Sequence, residues 1–225
     1  MSEPQYPGCR VHPTALIEEN VSLGAGTSVW DSVHIRHGAS IGKSCIIGEK
    51  SYVAYDVVIG DFCKLNAAVY VCANVIIGEY VMLAAHTVFT NDKFPRAFDI
   101  SLNGLATSDP TEETLTTRVG TGVTTCANVT IGPGLDIGDF AMIGMGSVVT
   151  RNVMPHALVI GNPAKVVGWV CTCGPVLAKA RDWEPMAVGT EIPCSRCGRV
   201  YAKTLDCVKE MRPPGSVPVH KHLHA

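Results

Sequence analysis

The chain is poor in aromatic residues, in charge and in long hydrophobic runs, and each shortage removes a class of protein. Charged side chains make up only 17% of the 225 residues, while the apolar share is 47%, a composition that excludes disorder, collagen and coiled coil and fits one or two globular domains. Lys+Arg 18 against Asp+Glu 20 leaves a formal net charge of −2 and no basic stripe, so nucleic acid is not an expected partner. Gly, Asn, Lys or Asp breaks every apolar run short of a membrane span, and the opening MSEPQYPGCR has no hydrophobic signal core. A cytoplasmic location without membrane contact is expected. The pattern G-x-x-x-x-G-K-[ST] does not occur, which leaves ATP hydrolysis without support.

What the sequence has in place of these is a period of six. Stepping from Val11 through Ile17, Leu23, Val29, Ile35, Ile41 and onward to Phe89, then again from Val119 to Val149, 19 of 20 positions are Ile, Leu, Val or Phe, and the exception is Thr125. Four residues after each large side chain comes a smaller one, as at Ala15, Thr27, Ala39, Cys45, Ser51 and Cys63. Glycine directly follows the large residue in nine hexads, Gly24, Gly48 and Gly144 among them, and is expected there for backbone conformations that a Cβ penalises. A helix repeats its apolar positions at three and four and a simple strand at two, so six fits neither. It fits a chain that makes a short strand and a corner three times per coil of eighteen residues, a triangular prism whose coils stack at roughly 4.8 Å. The large residue points inward and the small one fills the corner. Cys45 and Cys63 fall on those small inner slots and need no chemistry.

The hexad resembles that of the hexapeptide-repeat acyltransferases, and the resemblance covers residues 11 to about 170. It implies an all-β fold, a left-handed parallel β-helix, assembled as a homotrimer. Left-handedness comes from the resemblance alone, since the general rule for crossovers favours the right hand.

Between Phe89 and Val119 the pattern stops and then returns in the same register. An insertion of this kind, 90–118, is expected to project from a prism edge and wall a cleft against a neighbouring subunit. Its start, Phe89-Thr90-Asn91-Asp92-Lys93-Phe94-Pro95-Arg96-Ala97, resembles a segment of nucleotide-sugar N-acetyltransferases that act on UDP- or dTDP-linked 3-amino sugars. That resemblance implies transfer from acetyl-CoA to the amine of a nucleotide-linked amino sugar in surface polysaccharide biosynthesis. Such a site needs orientation of both substrates and a donor for the developing oxyanion. Asn91 would hold the amine or the carbonyl, Asp92 would take a proton or fix the sugar ring, and Arg96 suits a carboxylate or pyrophosphate. Asn66 joins Arg96 as a substrate-binding candidate. His86, five residues before Asn91, is placed near the base of the insertion and is a candidate general base, although related enzymes have a small residue there. The departing CoA thiolate is the alternative acceptor.

For coenzyme A the resemblance points to Gly144, Met145, Gly146 and Ser147, and to the segment Gly161-Asn162-Pro163-Ala164-Lys165 followed by Val166-Val167-Gly168-Trp169. Asn162, Pro163 and Ala164 would lie against the cofactor, and Lys165 and Arg151 would meet its phosphates. Beyond Val170 the rule changes again. Cys171 and Cys173, then Cys194 and Cys197, each pair followed by Gly, suit the two knuckles of a zinc ribbon, the first one residue short. A structural zinc would order a segment with little core of its own. The expected organisation is a β-helix domain over 11–170, a Cys-rich zinc-ribbon-like tail over 171–210 and a disordered end over 211–225. Two rivals stand beside the transferase: a hexapeptide-fold zinc carbonic anhydrase, for which His34, His37 and His86 are too far apart within one chain, and a non-catalytic β-helix scaffold.

Overall fold

The structure, a computed structural model, describes residues 6–99, 101–107, 110–112 and 114–214. Most of the end expected to be disordered, 215–225, lies outside them, while Met211 and Arg212 belong to the strand Val208–Arg212.

Most hexads form a strand of two residues whose first side chain faces out and whose second is buried, as at Ile46–Ile47 and Val58–Ile59, while Val75–Ile77 and Thr117–Val119 have three residues. Three parallel sheets result. The first face runs through Arg10–Val11, Ser28–Val29, Ile46–Ile47, Lys64–Leu65, Met82–Leu83, Thr124–Thr125 and Met142–Ile143. The second runs from Leu16–Ile17 through His34–Ile35, Tyr52–Val53, Tyr70–Val71, Val88–Phe89 and Thr130–Ile131 to Val148–Val149. Ser22–Leu23, Ser40–Ile41, Val58–Ile59, Val75–Ile77, Thr117–Val119 and Asp136–Ile137 make the third. The register shift is one coil, so Ile41 pairs with Ile59 and Ile59 with Ile77. This is the expected all-β parallel β-helix. One buried cluster runs from Val29 to Val159, with Val11, Ile17 and Leu23 only partly covered at the open first coil.

Two details of the interior differ from the sequence expectation. The glycine after the large residue does not supply a left-handed backbone; it admits the next coil. A Cβ on Gly48 would stand 2.6 Å from the carbonyl carbon of Asn66, and one on Gly24 2.5 Å from that of Gly42. The positive φ falls two residues later, at the corner, on Gly26, Gly122 and Gly146 and equally on Asp56, Asn74 and His86. Thr125, the exception among the large positions, is buried, and its hydroxyl lies 2.7 Å from that of Thr87 on an adjoining small slot. A polar pair inside the prism is tolerated because each hydroxyl has a partner.

The insertion leaves after Asn91 and returns at Thr117, which already pairs with Val75 on the third face. Its base is fastened by the Leu115 N–H donating to the Asn91 carbonyl (3.3 Å) and the Asn74 amide donating to the Thr114 carbonyl (3.1 Å).

After Val149 the chain turns back under the first face. Ala157–Gly161 adds to that sheet in parallel, and Ala164–Val170 and Val176–Lys179 continue it antiparallel, so the sheet runs across residue 170. Beyond it lie a helical turn, Ala180–Trp183, and a three-stranded sheet of Glu191–Pro193, Val200–Lys203 and Val208–Arg212. This tail has a core of its own: Trp169 stacks on Trp183 at 3.7 Å, beside buried Ile192, Tyr201 and Val208.

Candidate functional site

The candidate residues gather on two different edges of the prism. On the edge between the first and second faces, Asn66, His86 and, past the coil of Asn128, Gly144 to Ser147 lie in order down the prism, because the strands preceding them belong to the first-face sheet. The coil-to-coil bonds trace this edge: His86 N–H donates to the Ala67 carbonyl, Asn128 N–H to that of Ala85 and Gly146 N–H to that of Ala127, each at 3.0 Å. A shallow hollow of about 320 Å³ lies here, lined by Trp30, Asn66 and Ala85 among others. His86 is exposed at a corner with φ +59, and among the described residues its ring makes no hydrogen bond.

The hairpin carrying Asn162, Pro163, Ala164 and Lys165 closes this edge from below. Gly161 N–H donates to the Ser147 hydroxyl at 3.1 Å, and the absent Cβ of Gly144 leaves room for Ile160. Ser147 is fully buried, so its side chain positions this hairpin instead of facing a ligand. Met145 is 76% exposed, and a Cβ on Gly146 would meet nothing within 4 Å. The edge is therefore open beside Gly144 to Gly146, with Asn162, Pro163 and Lys165 exposed next to it.

Asn91, Asp92, Arg96 and Arg151 stand on the edge between the second and third faces. The Asn91 amide donates to the Ala73 carbonyl one coil away at 3.4 Å, and an Asp92 carboxylate oxygen accepts the Phe94 N–H at 2.9 Å. Asp92, Lys93, Arg96, Asp99 and Leu115 line a cleft of about 710 Å³ within the arm. The Asp99 carboxyl is held below the usual range by the Ser101 hydroxyl, 2.6 Å away, and by backbone N–H groups. Arg151 follows the strand Val148–Val149, so it shares the arm's edge and is not beside Lys165. His86 likewise is not at the base of the arm: the second face separates it from Asn91 within one chain. Five residues of this chain span one side of the triangle, a consequence of the corner positions that the spacing did not bring out.

A further cluster went unseen at the sequence level. Glu18 bonds to the His34 ring at 2.8 Å, accepts from the His37 N–H at 3.0 Å, and forms an ion pair with Arg36 Nε at 2.6 Å. The His34 bond first, then the His37 N–H and the Arg36 guanidinium, hold the Glu18 carboxyl at about 2, against burial, which raises it. Arg36 also donates to the Tyr52 hydroxyl, and Tyr52 stacks on Tyr70. The 18-residue offset that aligns Val29 with Ile47 aligns Glu18 with Arg36, so applying the period to charged residues as well as apolar ones would have found it. His34 and His37 stand beside Glu18 and His86 stands on another edge, so among the described residues these three imidazoles do not form a metal-ligating group.

At the far end, the four sulfurs of Cys171, Cys173, Cys194 and Cys197 lie within 4.8 Å of one another. Among the described residues they are the group of His, Cys, Asp or Glu side chains so placed that they could hold a metal ion. No helix of the described residues is long and apolar enough to cross a membrane.

Residues 56–91 match the family model of the bacterial transferase hexapeptide (six repeats), and residues 38–73 and 117–151 match that of the hexapeptide repeat of succinyl-transferase. These segments carry hexapeptide repeats like those of the two transferase models, and parts of the chain resemble nucleotide-sugar amino N-acetyltransferases. It is 49% identical over 57 residues to dTDP-3-amino-3,6-dideoxy-alpha-D-galactopyranose 3-N-acetyltransferase of Aneurinibacillus thermoaerophilus, a match covering 25% of this chain and 30% of that protein. To serine acetyltransferase 4 of Arabidopsis thaliana it is 38% identical over 65 residues, 29% of this chain and 18% of that one. The chain thus spans less than a third of either relative. Among solved structures, a perosamine N-acetyltransferase mutant from Caulobacter crescentus, in complex with CoA and GDP-perosamine, matches with TM-score 0.39 and 25% identity over 71% of this chain and 56% of that one. The N-acyltransferase AntD from Bacillus cereus, with dTDP and 3-hydroxybutyryl-CoA, matches with TM-score 0.48 and 16% identity over 72% and 80%.

Proposed function

We propose that the protein is an acetyl-CoA-dependent N-acetyltransferase acting on the amino group of a nucleotide-linked amino sugar, of the UDP- or dTDP-3-amino type, in surface polysaccharide biosynthesis. The observation that carries this reading is the single arm that interrupts an otherwise unbroken prism and encloses a cleft bearing Asp92 and Arg96. The similarity to the Aneurinibacillus enzyme supports the substrate class.

In this reading the edge of Gly144, Met145 and Gly146, closed by Asn162, Pro163, Ala164 and Lys165, takes the pantetheine arm, with Lys165 toward a phosphate. Arg96 and Lys93 face the nucleotide diphosphate. The amine lone pair attacks the thioester carbonyl carbon, a C–N bond forms, and the C–S bond breaks as CoA leaves as a thiolate. The amine proton passes to that thiolate, directly or by way of His86. Asn91 and Asp92 orient the amine and the sugar, and Asn66 lines the acyl side. Since His86 and Asn91 stand on different edges, a homotrimer would complete the site by bringing one subunit's arm to the next subunit's first edge. In this organisation 11–170 does the chemistry and 171–210 is an accessory tail.

Saturating acetyl-CoA should raise the melting temperature by mass action, and thiol release should appear with one member of a panel of UDP- and dTDP-amino sugars. No shift with acetyl-CoA would defeat the reading.

A further inference from the structure

We propose that Cys171, Cys173, Cys194 and Cys197 bind one zinc ion as a tetrathiolate, and that this ion fastens the tail to the last coil of the prism. Four sulfurs at about 2.3 Å from a tetrahedral zinc stand about 3.8 Å apart. Here Cys171 and Cys197 are separated by 3.5 Å, Cys171 and Cys173 by 3.5 Å, and Cys173 and Cys194 by 3.6 Å. These separations are near those of a filled site and far beyond a sulfur–sulfur bond of about 2.05 Å. Cys171 and Cys194 are buried, so four thiols converge in the tail core with no disulfide to account for it.

The short first knuckle is accommodated by its backbone. Cys173 N–H points at the Cys171 sulfur at 3.5 Å, and Gly174 at φ +106 lets its own N–H close back on the Cys171 carbonyl at 2.8 Å. A Cβ-bearing residue would be strained there. Binding Zn²⁺ releases the four thiol protons and leaves a net charge of −2 on the site. The surroundings suit that charge: Arg199 donates to the Cys197 sulfur at 3.7 Å, Tyr201 reaches the Cys171 sulfur at 3.2 Å, and Arg196 donates to the Cys173 carbonyl at 3.0 Å. Such outer contacts orient thiolate ligands.

The connection to the prism runs through Tyr201. Its ring meets His156 edge-on at 5.3 Å, and His156 stacks on Phe140 at a corner of the last coils. A metal that fixes Cys171 against Tyr201 therefore fixes the tail against the prism.

The test is made on the full chain purified without added metal. Elemental analysis should give one zinc per chain, and the denatured mass should be that of ten free thiols. Cobalt replacement should give thiolate-to-metal charge-transfer absorption that is lost in a Cys194→Ser, Cys197→Ser double variant. A chelator strong enough to strip zinc should change the fluorescence of the Trp169–Trp183 pair while the β-sheet circular dichroism persists. If the double variant is insoluble, metal content and cobalt absorption of the unaltered chain decide alone. Substoichiometric zinc, bound iron in its place, or the mass of two disulfides would overturn the proposal.

Discussion

The prism and the tail are two answers to the same shortage of aromatic residues. The prism stacks aliphatic side chains: Ile35, Ile47, Leu65 and Leu83 are each fully buried, and each rests on a copy of its own environment one coil away. The tail has no repeat, holds two of the three tryptophans, and brings four thiols to one point. A repeat distributes stability over many equivalent contacts, so one loss is local. A small core stapled at a single site concentrates it, so one loss is general.

The largest effect that tests this contrast is expected in the prism. Ile59→Ala removes a fully enclosed side chain between Ile41 and Ile77 and should cost about 2–5 kcal/mol, read as a lower denaturation midpoint by circular dichroism. Zinc content should be unchanged. A variant that lost metal along with stability would show that the two regions unfold as one unit. Next comes Gly48→Ala, whose new methyl must push against the Asn66 backbone at 2.6 Å; about 1–3 kcal/mol is expected. Loss below about half a kcal/mol would mean that adjacent coils separate easily, against the close-approach account of these glycines.

The arm is a third kind of region, neither repeat nor staple, and its changes should appear in turnover. Asn91→Ala breaks one bond to the Ala73 carbonyl and should leave the melting temperature near that of the unaltered chain while cutting turnover at least tenfold, about 1.4 kcal/mol of barrier. Unchanged turnover would remove Asn91 from the site. His86→Ala, on the other edge, separates the two proton acceptors. A turnover falling most steeply at low pH in the native protein and losing that limb in the variant assigns the proton to the imidazole; an identical profile assigns it to the thiolate.

How much of this the sequence displays depends on periodicity. Ile41, Ile59 and Ile77 could be placed in one column from spacing alone, because a fixed coil length turns sequence distance into position. The edge on which a residue sits follows from the same count, yet His86 and Asn91 read as neighbours because five residues sound near, while a prism corner turns between them. Glycine at Gly48 was visible and its cause was not, since close approach depends on the coil above. The cysteine pairs were legible as pairs, but their convergence needed the antiparallel return of Val176–Lys179 and the strand Val200–Lys203, which follow no period. The Trp169–Trp183 stack was invisible for the same reason.

The smallest expected effect lies where the two regions meet. His156 sits at φ +60, with its ring between Phe140 of the prism and Tyr201 of the tail and a ring nitrogen 3.0 Å from the Val170 carbonyl. Burial lowers its pKa, opposed by the Val170 carbonyl and by the nearby carboxylates Glu210 and Asp139. A depressed folded value means that protons favour the unfolded chain. The contribution of this group is then complete above the ordinary imidazole value of about 6.5 and declines as pH falls below it. His156→Asn keeps a side chain tolerant of the left-handed corner, but one that does not titrate. The variant should be slightly less stable than the native chain at pH 8, and the difference should narrow as pH falls toward 5, measured by chemical denaturation with tryptophan fluorescence. A gap that stays constant over that range would place the acid sensitivity of this junction elsewhere than in the imidazole.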